Sequence, residues 1–142
     1  MLSNFLARLA SHPKHLFLLD GMGGFASAVA PLIIVWKFET LIGLPRELLI
    51  AMALTGFLYG SYSLLCALKI KTKWALFLKI LVGANATYLF CLMAYTVLHF
   101  SSLSPLGLAY LLIDHLVLIS VIFIELNVLA ALSGLWIPGT KS

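Results

Sequence analysis

Four apolar stretches run through this chain, each bounded by short polar collars, at about residues 16–36, 47–68, 75–98 and 106–131. Each suits a helix crossing roughly 30 Å of hydrocarbon, which takes about 20 residues. Ahead of them, Leu2, Phe5, Leu6 and Leu9 follow the i, i+3, i+4, i+7 spacing and predict a short amphipathic helix at the membrane interface, ended by Pro13. The fold expected is all-α: a four-helix transmembrane bundle with an N-terminal interfacial helix, and residues 1–142 form a single integral membrane domain.

The collars carry the punctuation. Pro31 lacks the N–H that would bond Ser27 and should kink the first span. Lys37 to Arg46 reads as a loop, with Pro45 suited to the first turn of the second span. Lys69, Lys71 and Lys73 fill the next loop, with Trp74 at the interface. Ser104 and Pro105 make an N-cap and first-turn pair for the last helix. Trp136 and Lys141 close the chain at the interface. A cleaved signal peptide, suggested by Ala26-Ser27-Ala28, is rejected because Asp20 interrupts its apolar core and the later spans need a partner.

Composition strengthens the membrane reading. The 142 residues are 63% hydrophobic and 10% charged, with a mean hydropathy of +1.11; soluble domains carry about 25% charged residues. The net charge of +4 comes from short basic loops, and no basic patch with interleaved aromatics points to nucleic acid. Lys and Arg collect in the N-terminal segment, the Lys69–Lys73 loop with Lys79, and the C-terminus. Only Lys37 and Arg46 fall on the other side. The positive-inside rule then puts both termini in the cytoplasm.

Chemistry enters with the last span, which holds Asp114, His115 and Glu125. Roughly seventeen Leu, Ile, Val and Phe residues at about −0.3 to −0.6 kcal/mol each outweigh two off-centre acids at no more than about +3 each, so the segment inserts. Ionisable groups inside a span are by default site candidates. Asp114 and Glu125 lie within roughly 20° of one helix face but about 16 Å apart along the axis. A catalytic carboxylate pair sits roughly 5–9.5 Å apart, so these two acids are expected to act separately at two depths. The inner layer groups Asp20, Lys79 and Glu125, with Lys79 and Glu125 the obvious ion pair. Asp20 completes that triad or caps its helix start. The outer layer groups Asp114, His115, Tyr95, Tyr110 and His99, and Asn85 lies mid-span as a helix-tying amide or a ligand group.

Small residues supply the packing. Gly24 and Ala28 in the first span, and Gly56 and Gly60 of a GxxxG in the second, favour close helix approach; a broken helix lining a pocket is the functional alternative for the first. Cys66 and Cys91 fall near opposite ends of their helices, too far apart to bridge. No CxxC, HExxH, Walker or GxGxxG pattern occurs, and His99 and His115 sit at different depths, which disfavours haem. No cofactor and no metal are expected.

Phe17-Leu-Leu-Asp-Gly-Met-Gly-Gly24 with Ser27-Ala28, Leu78-Lys79-Ile80 with Ala84-Asn85, and Phe123-Ile-Glu-Leu126 resemble a group of small uncharacterised four-span bacterial integral membrane proteins. The resemblance implies the fold and a bacterial inner-membrane location and carries no activity. Small multidrug transporters are similar in span number and in having a membrane carboxylate, but Asp20 sits closer to the interface than such an acid.

Three function classes follow. The leading one is a non-enzymatic binding, scaffold or accessory subunit in the lipid bilayer, with homo-oligomer formation open and its small-molecule ligand unnamed. The second is a proton- or cation-coupled small-solute transporter using Asp114, Glu125 and Asn85, with Asp114 the better proton group because Lys79 opposes Glu125. The third is an intramembrane enzyme on a lipid or quinone with Asp114 and His115 as acid and base. Neighbouring positions point about 100° apart on a helix, so that pair is expected to miss a shared substrate.

Overall fold

The computed structural model describes residues 2–134; Trp136 and Lys141, expected at the interface, lie outside the described residues. Helix α1 spans Leu2–Ser11, and Pro13 opens α2, Pro13–Ile33, at a position where its missing N–H goes unused. The disturbance expected of Pro31 appears just beyond it as a π-helical stretch, Ile34–Phe38, whose first amide reaches both Ala30 O and Pro31 O. The chain then re-forms an α-helical turn, α3, Glu39–Ile42.

The loop expected from Lys37 to Arg46 is therefore largely helical. Val35, Trp36, Phe38 and Leu41 keep the segment apolar, and helix continues until Gly43 takes φ +65° and donates its N–H to Glu39 O at 2.9 Å. Only glycine adopts that left-handed closure without strain. The rest of the chain forms α4, Arg46–Lys69; α5, Trp74–Leu98; and α6, Pro105–Leu132. Ser104 caps α6, accepting the Gly107 N–H at 2.9 Å, and its hydroxyl also donates to Ile42 O, which ties the start of α6 to the end of α3.

Four helical segments, with α2 and α3 counted as one, are long and apolar enough to cross a membrane. The outer surface agrees with that. Met22, Leu58, Phe90 and Leu116 are each more than 60% exposed and belong to four different spans. Such a surface is at home in lipid and would be an aggregation hazard in water. No strand occurs among the described residues.

The helices pack as two hairpins. Helix α2 lies on α4 along a seam of small residues: a Cβ added at Gly24 would lie 2.7 Å from Gly60 Cα, and one added at Gly56 would lie 2.9 Å from Gly24 O. Ala28 stands beside Gly56, and Gly21 beside Gly60, so the two backbones are nearly in contact. Helix α5 lies on α6. One apolar cluster, including Leu6, Phe17, Leu78 and Val128, joins the hairpins at the N-terminal end of the bundle. Another, including Ile34, Leu49, Leu92 and Leu111, joins them at the opposite end. Helix α1 buries Leu6 and Leu9 against the first cluster and packs on α6. It is a fitted part of the bundle as well as an amphipathic segment.

A carboxyl-lined cavity between the hairpins

Between the two apolar clusters the hairpins do not close. A cavity of about 190 Å³ lies there, and α1, α2, α4, α5 and α6 all contribute to its wall. Asp20, Asp114 and Glu125 line it, with Asn85, Tyr59 and Tyr88; among the described residues no Lys, Arg or His does. The acids expected to act at separate depths share one elongated space, because the roughly 16 Å from Asp114 to Glu125 follows the cavity along α6.

Glu125 is the most enclosed of these groups, only 1% exposed. Asn85 Nδ2 donates to its Oε1 at 2.9 Å, while its Oε2 is buried with no hydrogen-bond partner among the described residues. The expected Lys79–Glu125 pair is not formed. Lys79 is exposed, next to the fully buried Leu78, so its stem follows the outside of α5 and its ammonium is free to reach the interface. Among the described residues the one ion pair is Arg46 with Glu39, at 3.6 Å and outside the cavity.

Asp20 neither caps its helix nor pairs with a cation. It sits two turns inside α2, and the Ser63 hydroxyl of α4 donates to its Oδ2. Asp20 and Glu125 are close enough for charge on one to act on the other. The inner triad thus reduces to two carboxyls held by an amide and a hydroxyl.

The outer layer separates. Asp114 faces the cavity with Tyr88 and Tyr110 as neighbours, and its Oδ2 is buried without a hydrogen-bond partner among the described residues. His115 is buried but does not line the cavity; its Nδ1 lies against Leu111 O of its own helix. Tyr110 likewise stays out of the lining. His99 stacks on Tyr95, ring centroids 4.3 Å apart, at the exposed end of α5. Asp114 and His115 therefore do not converge on one substrate position. Among the described residues no cluster of His, Cys, Asp or Glu is suited to a metal.

Two contributors had not been singled out from sequence. Tyr88 follows Asn85 by three residues and Ser63 follows Tyr59 by four, so each shares the inward face of its helix with a polar residue that lines the cavity. Tyrosines hold the hairpins together across the cavity's rear: Tyr59 donates to Ala84 O and Tyr62 to Phe77 O, both at 3.1 Å, from α4 to α5. On the opposite side α2 and α6 have little direct contact, and α1, packed on both, adds Phe5 and Leu9 to the wall. The α2 stripe of Leu19, Gly23 and Ser27 lines the cavity yet is exposed, as is Val117 of α6. A Cβ added at Gly23 would meet nothing within 4 Å. The cavity opens sideways there, toward the lipid.

No family model, curated protein or solved structure matches the chain.

Proposed function

We propose that this is a small, non-enzymatic membrane protein that binds a small solute between its two hairpins, with both termini in the cytoplasm. The observation that carries the reading is a cavity lined by Glu125, a carboxyl whose buried Oε2 has no hydrogen-bond partner among the described residues. A polar group withdrawn from water without a partner is destabilising by roughly 1–3 kcal/mol, and a bound solute would supply that partner. Glu125 and Asp114 each hold a buried oxygen that has no hydrogen-bond partner among the described residues.

Thiol labelling tests the reading. With Cys66 and Cys91 replaced by alanine, Val121→Cys puts a thiol on the cavity wall and Leu116→Cys puts one on the lipid face of the same helix. A small methanethiosulfonate reagent reacts with thiolates, which need water. Fast reaction at position 121 and slow reaction at 116 are expected; equal inertness would mean a dry seam, and solute binding would be abandoned.

A second reading, proton- or cation-coupled transport, is favoured by the cavity's reach along α6 from Asp114 to Glu125. It requires that Asp114→Asn abolish solute movement in proteoliposomes while the protein still folds.

A further inference from the structure

We infer that the solute is a small lipophilic organic cation, such as a primary amine on a single ring or short alkyl body, and that it reaches the cavity sideways from the bilayer between α2 and α6. The inference rests on the binding reading above and adds the ligand's charge, size and route.

Charge comes first. Three carboxyl groups line the space and, among the described residues, no basic side chain does, so the wall offers an anionic ligand no countercharge where charges are poorly screened. An ammonium in this space meets the Glu125 carboxyl, whose Oε2 lacks a hydrogen-bond partner among the described residues and becomes available by a small turn of the side chain. Asp20 is a second carboxyl in the same wall. Hydrogen bonds with a charged partner are about twice as strong as neutral ones. A bare inorganic ion fits less well: most of the wall is apolar, with Leu16, Val121 and Ile124 beside Glu125. Asp114 is also about 16 Å from Glu125 along the helix, too far to share one ion with it. The wall is suited to an apolar body carrying one cationic end.

Size follows from the cavity. An apolar hole of about 150 Å³ holds a benzene molecule; about 190 Å³ holds one ring with a short tail. Tyr59 and Tyr88, whose rings meet edge to face at 6.3 Å, stand in the wall as aromatic surface for a ring or a cation.

The route follows from the packing. The α2–α4 side is closed by glycine-to-glycine backbone contact, and the α4–α5 side is bridged by two tyrosine bonds. The α2–α6 side has Gly23, with open space where a side chain would be, and exposed Leu19, Ser27 and Val117 around it. A ligand that partitions into lipid would find this mouth directly.

The test uses the full chain in lipid nanodiscs, with empty nanodiscs as the partitioning blank, at pH 7. The probes are 2-phenylethylamine, its neutral isostere 2-phenylethanol and phenylacetate. Calorimetry should show saturable binding of the amine alone. Glu125→Gln, which keeps the side-chain volume, should weaken that binding roughly 10- to 150-fold, the scale of one charged hydrogen bond. Asp20→Asn is the second variant, for use if Glu125→Gln does not fold, and should also weaken the amine. Equal binding of amine and alcohol, or an amine affinity unmoved by either variant, overturns the cationic class while leaving solute binding intact. Failure of all three probes together with an inert Val121→Cys overturns both. Gly23→Leu fills the lateral mouth and should slow amine association in stopped flow by about tenfold with the fold retained; an unchanged rate overturns the route from the bilayer.

Discussion

Replacing Gly24 by alanine adds a single methyl group at the point where α2 and α4 are closest. That methyl would lie 2.7 Å from Gly60 Cα, 2.8 Å from Gly60 N and 3.0 Å from Gly56 O. Ordinary carbon contacts are about 3.5–4.0 Å, and all three neighbours are backbone, so no rotamer change relieves the clash. The helices must separate locally by about 1 Å, and overpacking of this kind is destabilising by roughly 1–3 kcal/mol. Gly23, one residue earlier, has nothing within 4 Å of its added Cβ. Gly23→Ala therefore receives the same gain in helix propensity, up to about 1 kcal/mol, without the clash. The propensity term cancels between the two variants and leaves a gap of about 1–3 kcal/mol, roughly 5- to 150-fold in the folded-to-unfolded ratio. Equilibrium unfolding in mixed micelles, titrated with denaturing detergent and followed by circular dichroism, measures that gap. Coincident unfolding of the two variants would refute the close approach of α2 and α4.

Three further outcomes are expected in the same assay. Asn85→Ala removes the donor to Glu125 Oε1 and leaves both carboxyl oxygens unpartnered, a loss of about 1–3 kcal/mol; a neutral result would mean that the amide is not bonded there. Lys79→Gln should fall within about 0.5 kcal/mol of wild type, because Lys79 is exposed and unpaired among the described residues; a loss of several kcal/mol would restore the Lys79–Glu125 ion pair. Ser104→Ala removes both the α6 cap and the bond to Ile42 O and should cost about 1–2 kcal/mol, whereas Ser101→Ala in the same turn, an exposed residue, should be silent.

The spans were legible because hydropathy reports length directly: α4, expected at 47–68, runs Arg46–Lys69, and α5, expected at 75–98, runs Trp74–Leu98. The first span was misjudged at its far end, where Lys37 and Glu39 look like a loop but sit among Trp36, Phe38 and Leu41 on a continuing helix. The candidate site was legible in depth and illegible in azimuth. Asp20, Lys79 and Glu125 do lie toward the same end of the bundle, but Lys79 is about 120° around α5 from Asn85, and of the two it is Asn85 that bonds Glu125. A long lysine can leave the bundle where a glutamate cannot, so depth alone overstates lysine as a partner. Asp114 and His115 show the converse. Adjacency in sequence forced them apart, which helical geometry anticipated, and only the cavity reveals which one faces inward.

The glycine seam and the cavity are two consequences of one distribution of side-chain size. Helix α2 presents Gly21, Gly24 and Ala28 to α4, which draws those backbones together. Their contact makes a rigid hairpin whose remaining inward face carries Asp20 and Tyr59. Helices α5 and α6 meet it through large aliphatic residues at the two ends, where Leu78 shares a cluster with Phe17 and Leu92 shares one with Leu49. Bulky contacts at both ends and polar groups between them hold the hairpins apart at mid-membrane. The cavity therefore depends on the tightness of the seam. Gly24 and Gly56 line both, so a methyl group that spreads α2 from α4 also moves Asp20 relative to Glu125. Gly24→Ala should then weaken amine binding as well as stability, whereas Asn85→Ala should affect binding only through the position of Glu125. Binding that survives Gly24→Ala at full strength would separate seam from site and confine the role of the glycines to assembly.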